Sequence, residues 1–374
     1  MSNAADGIEQ TTVDDLRDTE SVVKLAESLV KGNRVALLVN AYNNSAGVCI
    51  EVKHQAQQLQ DAGYDVEIIA FEGNMAPPEE VDLYTIGQFD NLYLEKLNLV
   101  TFPIQYPTLR KVSRRLGKHD LVICHRYPLS AAAYMAKRNH DVPYVHWHYH
   151  IPLPSEMPTL PRKAWVSLLG YFEERSFLVR NANIVCSISE SSREILLDAG
   201  GIDSIVLAND AEVDRFDDVD SDAEYLYETY DIDESDTVSV FVGRVTATKN
   251  VGDLVEMFNA VSDSVDGSKL VVVGKPTSEQ YLKDLQEQAS KDVVFTGFVT
   301  DNELAGIYET ADLFVTASPK EGRNLPPLEA QEYGVPVLGF DVPGIRDVVS
   351  DGWLANSSEE YVDLWVDALS DETE

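Results

Sequence analysis

The chain has 374 residues, enough for two domains with separate cores, and its 44% hydrophobic share is that of a globular protein. Sixty-four acidic side chains against 29 basic ones give a formal charge of -35, which repels nucleic acid and anionic lipid over most of the surface. The acids run through the whole chain instead of forming one tail, which points to adaptation to high salt, where screening weakens self-repulsion, over attraction of a basic partner.

Residues 1–32 read as an N-terminal extension with a short helix, since Val22, Val23, Ala26, Leu29 and Val30 share one helical face. A buried strand follows at 34–40, then a loop from Ala41 to Gly47, an amphipathic helix near 48–62 stopped at Gly63, and a strand at 65–71. Strands at 120–124, 143–147 and 183–189 alternate with helices near 129–138, 161–179 and 190–199. This makes 33–200 a Rossmann-like domain. After about residue 200 the order restarts, with strands at 236–242, 269–273, 292–295, 312–316 and 336–340 and a helix at 250–263, so 201–374 forms a second α/β domain. Ligands of such sheets bind at the carboxyl ends of the strands, and two halves facing across a cleft would place a donor and an acceptor between them.

Cys49, Cys124 and Cys186 are scattered, odd in number and without a CxxC pair, which argues against a disulfide framework or a thiolate zinc site and favours a reducing compartment. The first 20 residues are polar and acidic, and no run of about 18 apolar residues occurs, so a cytoplasmic location is expected.

The segment Glu321-Gly-Arg-Asn-Leu-Pro-Pro-Leu-Glu329 follows the 312–316 strand and precedes a helix expected to begin at Pro326 or Pro327. The N–H groups of Gly322, Arg323, Asn324 and Leu325 and of the first helical turn suit an anion such as a nucleotide diphosphate. A carboxylate accepts both hydrogens of a vicinal diol, so Glu321 and Glu329 could each hold one diol of a nucleotide sugar. In Phe241-Val-Gly243-Arg244-Val-Thr-Ala-Thr-Lys249, two cations stand just past a strand, where they could neutralise charge on a departing diphosphate.

Glu-x7-Glu followed by Ala330 and Gly334-Val-Pro336 resembles the signature of GT4-type glycosyltransferases (glycosyl transferases group 1). Gly243-Arg244 with Lys249, Phe295-Thr-Gly-Phe298, Ala311-Asp-Leu-Phe-Val315 and Ser187-Ile-Ser-Glu190 stand in that family's order, and the resemblance covers roughly residues 33–354. It implies an α/β GT-B fold and transfer of a hexose from a nucleotide sugar to a glycan or lipid-linked acceptor. Retained anomeric configuration goes with it, with neither metal nor other cofactor. It also implies that Arg244 and Lys249 bind the donor diphosphate, Glu321 the donor sugar and Glu329 the ribose, with Gly297 and Phe298 beside the base. A histidine is expected next to the transferred sugar: in Tyr144-Val-His-Trp-His-Tyr-His150 the first choice is His146 and the second His148. With the acidic excess, the family member expected is a haloarchaeal one.

The chain departs from the family pattern in three places. Arg323 and Asn324 replace the usual aromatic and glycine. The first loop, Asn43-Asn-Ser-Ala-Gly47, keeps Gly47 alone for close approach to the donor. The chain also stops about 20 residues past Asp351-Gly352, so the usual returning helix is expected to be short or missing. A basic run of Arg110, Lys111, Arg114, Arg115 and Lys118, with Arg162, Lys163 and Trp165, could dock at the inner membrane face or simply offset the acids. Two other function classes remain open: a GT-B binding subunit without activity, and a related retaining phosphorylase or nucleotide-sugar hydrolase.

Overall fold

The computed structural model describes residues 21–30, 32–42, 47–73, 75–86, 102–125, 129–149, 167, 177–207, 216, 219–230, 232–319, 321 and 324–370. The chain divides into two compact units, Met1–Ala211 and Glu212–Glu374.

The first unit runs α1 (Val22–Leu29), β1 (Arg34–Tyr42), α2 (Gly47–Asp61), β2 (Asp65–Gly73), β3 (Asp82–Thr85), α3 (Phe102–Leu116), β4 (Leu121–His125), α4 (Leu129–His140), β5 (Tyr144–His148), α5 (Phe177–Arg180), β6 (Ile184–Ser187), α6 (Glu190–Gly200) and β7 (Ile205–Val206). Its seven strands are parallel in the order β3-β2-β1-β4-β5-β6-β7. Helices cover both faces, so β1 is apolar on both sides. Val35, Leu37 and Val39 pack with α1 and α2, while Ala36 and Leu38 pack with α3 and α4. The short N-terminal helix is part of this core. Ser21 caps it, accepting the Lys24 N–H at 3.3 Å, and Val22, Leu25, Ala26 and Leu29 are buried. Each of its large buried side chains contributes about 1.5–3 kcal/mol. The division falls at 211 and not at 200 because β7 pairs with β6 as the last strand of the first sheet.

The second unit runs α7 (Tyr225–Thr229), β8 (Thr237–Val242), a 3-10 turn (Ala247–Lys249), α8 (Val251–Ser262), β9 (Ser268–Val273), α9 (Glu279–Gln288), β10 (Val293–Gly297), α10 (Asp301–Thr310), β11 (Leu313–Thr316), α11 (Pro326–Glu332), β12 (Val337–Phe340), β13 (Gly352–Ala355) and α12 (Ser358–Ser370). Six parallel strands take the order β10-β9-β8-β11-β12-β13. The last helix, α12, is 13 residues long and packs into this unit's own core. Its Trp365 donates to Ser239 Oγ at 2.8 Å, and its Tyr361 donates to the Leu338 carbonyl at 2.9 Å. The expected helix over 161–179 lies mostly outside the described residues, as do His150, Arg162, Lys163, Trp165, Gly322 and Arg323.

Candidate active site

In each sheet the chain winds outward in both directions from a central pair of strands. The crevice at the carboxyl ends of that pair is where such sheets bind ligands. In the second unit the pair is β8 and β11. The residues that follow β8 are Gly243, Arg244 and the turn ending at Lys249; those that follow β11 lead to Glu321. The sequence therefore delivers both motifs to one point by topology.

Local bonds fix the basic pair's loop. Thr246 Oγ1 accepts the Lys249 N–H at 3.2 Å, closing the 3-10 turn. Lys249 Nζ forms an ion pair with Glu321 Oε1, both side chains being mostly shielded from solvent. Arg244 is exposed and has no ion-pair partner among the described residues. Two glycines make the approach possible. A Cβ on Gly274 would lie 1.8 Å from the Gly243 carbonyl oxygen, and one on Gly344, at φ +84°, would lie 2.2 Å from the Glu321 carbonyl oxygen. Gly274→Ala is thus expected to push the Arg244 loop away from β9. A melting point lowered by several degrees, together with lost nucleotide affinity, would show it.

Glu329 is buried on α11, and Tyr308 donates to its Oε2 at 2.7 Å, so any diol reaching it meets a carboxylate already oriented. The start of α11 differs from expectation. Pro326 and Pro327 have no N–H, and the N–H groups of Leu328 and Glu329 bond back to the Leu325 carbonyl at 2.8 and 3.0 Å. The first turn therefore offers an anion no free donor. Among the described residues, that role falls to the Asn324 and Leu325 N–H groups just before it. The buried hydroxyls of Thr316 and Ser318, at the end of β11, have no partner among the described residues and add polar surface at the same point. Gly297 ends β10 and accepts the Gly274 N–H at 2.7 Å. The next residue, Phe298, is 70% exposed, with Lys275 Nζ 4.5 Å above its ring, an aromatic face open to a base.

Two family models account for most of the chain: "Glycosyltransferase Family 4" matches residues 47–209, and "Glycosyl transferases group 1" matches 225–372. The chain is a glycosyltransferase. Its sheets of seven and six parallel strands are those of the GT-B fold. Among curated proteins it is 25% identical to the alpha-monoglucosyldiacylglycerol synthase of Streptococcus pneumoniae, over 85% of this chain and 73% of that one. It is likewise 25% identical to a D-inositol 3-phosphate glycosyltransferase of Nocardia farcinica, over 87% and 76%. A solved structure of Anabaena HepE in complex with UDP and glucose superposes with a TM-score of 0.67 at 17% identity, covering 91% of this chain and 90% of that one.

In this glycosyltransferase Gly47 opens α2 directly past β1, at the first unit's own crevice. His146 and His148 are both buried in β5. His146 lies inside the strand, in register with Cys124 and Val185, and burial pushes its imidazole down to about 4. His148 is the strand's last residue. Sequence reading missed His125, which ends β4. A lone histidine after Leu-Val-Ile-Cys carries no spacing signal, and the strand order alone marks its place.

Proposed function

We propose that this glycosyltransferase moves a hexose from a nucleotide sugar to a glycan or lipid-linked acceptor with retained anomeric configuration and without a metal ion. The ion pair of Lys249 with Glu321 at the β8–β11 crevice carries this reading. It sets a cation for the donor diphosphate beside a carboxylate for the sugar hydroxyls. Arg244 supplies the second cation. The C1–phosphate bond breaks as the acceptor oxygen bonds C1 on the same face, and the departing phosphate takes the acceptor's proton, so no enzyme nucleophile is required. Glu329 receives the ribose and Phe298 the base. The UDP and glucose bound in HepE and the glucosylated lipid in the name of the streptococcal relative support this choice of substrates. Transfer from a panel of nucleotide hexoses, with the product anomer read by NMR, tests it. Inverted product, or hydrolysis unaffected by any acceptor, would rule it out.

A cytoplasmic protein working in molar salt, as in a haloarchaeon, accounts for the charge of -35. Dialysis into low salt is expected to unfold the chain. Among the described residues no helix is long and apolar enough to cross a membrane, and contact with an anionic inner face would run through α3. There Arg110, Lys111 and Arg114 are exposed within one arc of the helix, with Tyr106 at its edge, and Lys118 is exposed in the turn just past it. Arg115 is not part of this surface. It forms a fork with Glu67, which also takes His119 Nε2 at 3.2 Å, and it stacks on Tyr84 at 3.9 Å. Reversing Arg110 and Arg114 is therefore expected to abolish salt-sensitive flotation with anionic liposomes while leaving the melting point unchanged. Reversing Arg115 would lower the melting point instead.

A further inference from the structure

Three neighbouring strands of the second sheet end alike. β8, β9 and β10 each close on or just before a glycine, and the next residue carries a side chain out past the strand: Gly243-Arg244, Gly274-Lys275 and Gly297-Phe298. Backbone bonds lace these ends together. The Gly243 N–H donates to the Val273 carbonyl at 2.9 Å, the Val245 N–H to the Lys275 carbonyl at 3.0 Å, and the Gly274 N–H to the Gly297 carbonyl at 2.7 Å. Arg244, Lys275 and Phe298 therefore stand on one fixed frame, with Lys275 on the middle strand. Lys275 Nζ lies 4.5 Å from the centre of the Phe298 ring, and both side chains are exposed. In a chain with 64 acidic residues, this lysine has no carboxylate within ion-pair reach among the described residues. Its partner is the aromatic face instead. A cation–π contact at an exposed site is weak, so the ammonium is readily drawn to a stronger acceptor.

We propose that Lys275 reads the base of the donor, selecting bases that carry an exocyclic oxygen (uracil, hypoxanthine, guanine) over those that carry an amino group there (cytosine, adenine). The inference rests on the reading of Phe298 as the base's platform and names the class of base. A base laid on that ring face takes the place of the ammonium, and the lysine stem then carries Nζ to the base's edge. An ammonium has three donors and no acceptor. A carbonyl oxygen at the edge completes a charge-assisted hydrogen bond; an amino group turns hydrogens towards the ammonium and leaves it unpaired. Ring nitrogens accept in every purine, so the exocyclic group is what discriminates. Lys275 is here a specificity residue, and no step of the transfer is assigned to it.

The test is calorimetric titration of two matched pairs, UDP with CDP and IDP with ADP, into the full chain under folding salt conditions. Ribose and diphosphate are constant within each pair, so the ratio of affinities reports the base alone. In the ring size that the site admits, the oxo member is expected to bind about tenfold more tightly than the amino member. Lys275→Met keeps the stem and removes the charge, and should bring the pair to within about twofold, the lone carbonyl contact being lost. Lys275→Glu, which accepts where lysine donates, should favour the amino member. The side chain is exposed and unpaired, so both variants should melt as the wild type does. A wild type without preference for the oxo member would overturn the proposal, as would a preference that survives in Lys275→Met. An equal loss of all four diphosphates in Lys275→Met would do so too, by placing the lysine at the phosphates. Phe298→Ala separates the inference from the reading beneath it. Unchanged nucleotide affinity in that variant would strike Phe298 as the platform; weakened affinity there with an unaltered ratio in Lys275→Met would strike Lys275 alone.

Discussion

Lys249→Ala is expected to lower kcat by about 100- to 1,000-fold, the usual loss when one preorganised donor to a developing negative charge is removed. The ion pair gives this prediction a second, sharper half. In the donor-free protein Glu321 neutralises Lys249. A diphosphate must draw the lysine away, and Glu321 is then released to accept sugar hydroxyls. Glu321→Gln should therefore bind a free nucleoside diphosphate several-fold more tightly than the wild type while losing turnover. Lys249→Ala should bind it more weakly. Opposite changes in affinity with losses of kcat in both variants distinguish a working pair from a surface ion pair, for which neither variant would alter nucleotide binding.

Mild acid is expected to destabilise the first unit well before its carboxylates are protonated. Burial, then His146, hold His125 at about 3, and burial holds His146 at about 4, against an ordinary value of 6.5. Both rings are neutral in the fold and take up protons when the chain unfolds. Below pH 6.5 the unfolded state therefore binds more protons, so stability is complete above that pH and falls with acidification. At pH 4.5 each ring removes about 2.5 kcal/mol, a sum near the whole stability of a marginal domain. Glu67 extends the loss to lower pH. Burial raises its carboxyl, but the bonds from His119 and Arg115 outweigh that and hold it at about 2, so its contribution is present above about pH 4.5 and fades below. Urea midpoints measured from pH 7 to 4.5 check this: they should fall steadily in the wild type and less steeply in His146→Gln. A flat profile would contradict it.

The central strands were legible in the sequence because both their faces are buried and read as unbroken apolar runs. β1, β4, β8 and β11 all fall within a residue or two of expectation, the largest departure being the two-residue extension of β1 to Tyr42. Three of the four edge strands were not. β3, β7 and β13 have two to four residues and carry exposed or half-exposed positions, so only pairing with a neighbour makes them strands. The donor side of the site was legible because its chemistry lies in two short motifs. The Val-His-Trp-His pattern drew the eye to His146 and His148, while alternation along β5 turns Trp147 and Tyr149 to the side where His125 lies. The helix start at Pro326 was placed correctly, yet its prolines remove the very N–H groups that made it attractive as an anion site.

The most direct test of the donor site is calorimetric titration of UDP, GDP, ADP and dTDP into the wild type and Lys249→Ala under folding salt conditions. One nucleoside diphosphate should bind the wild type, with affinity reduced about tenfold or more when Lys249 is lost. If none binds, or if binding is indifferent to Lys249, the β8–β11 crevice is not where this protein holds its donor.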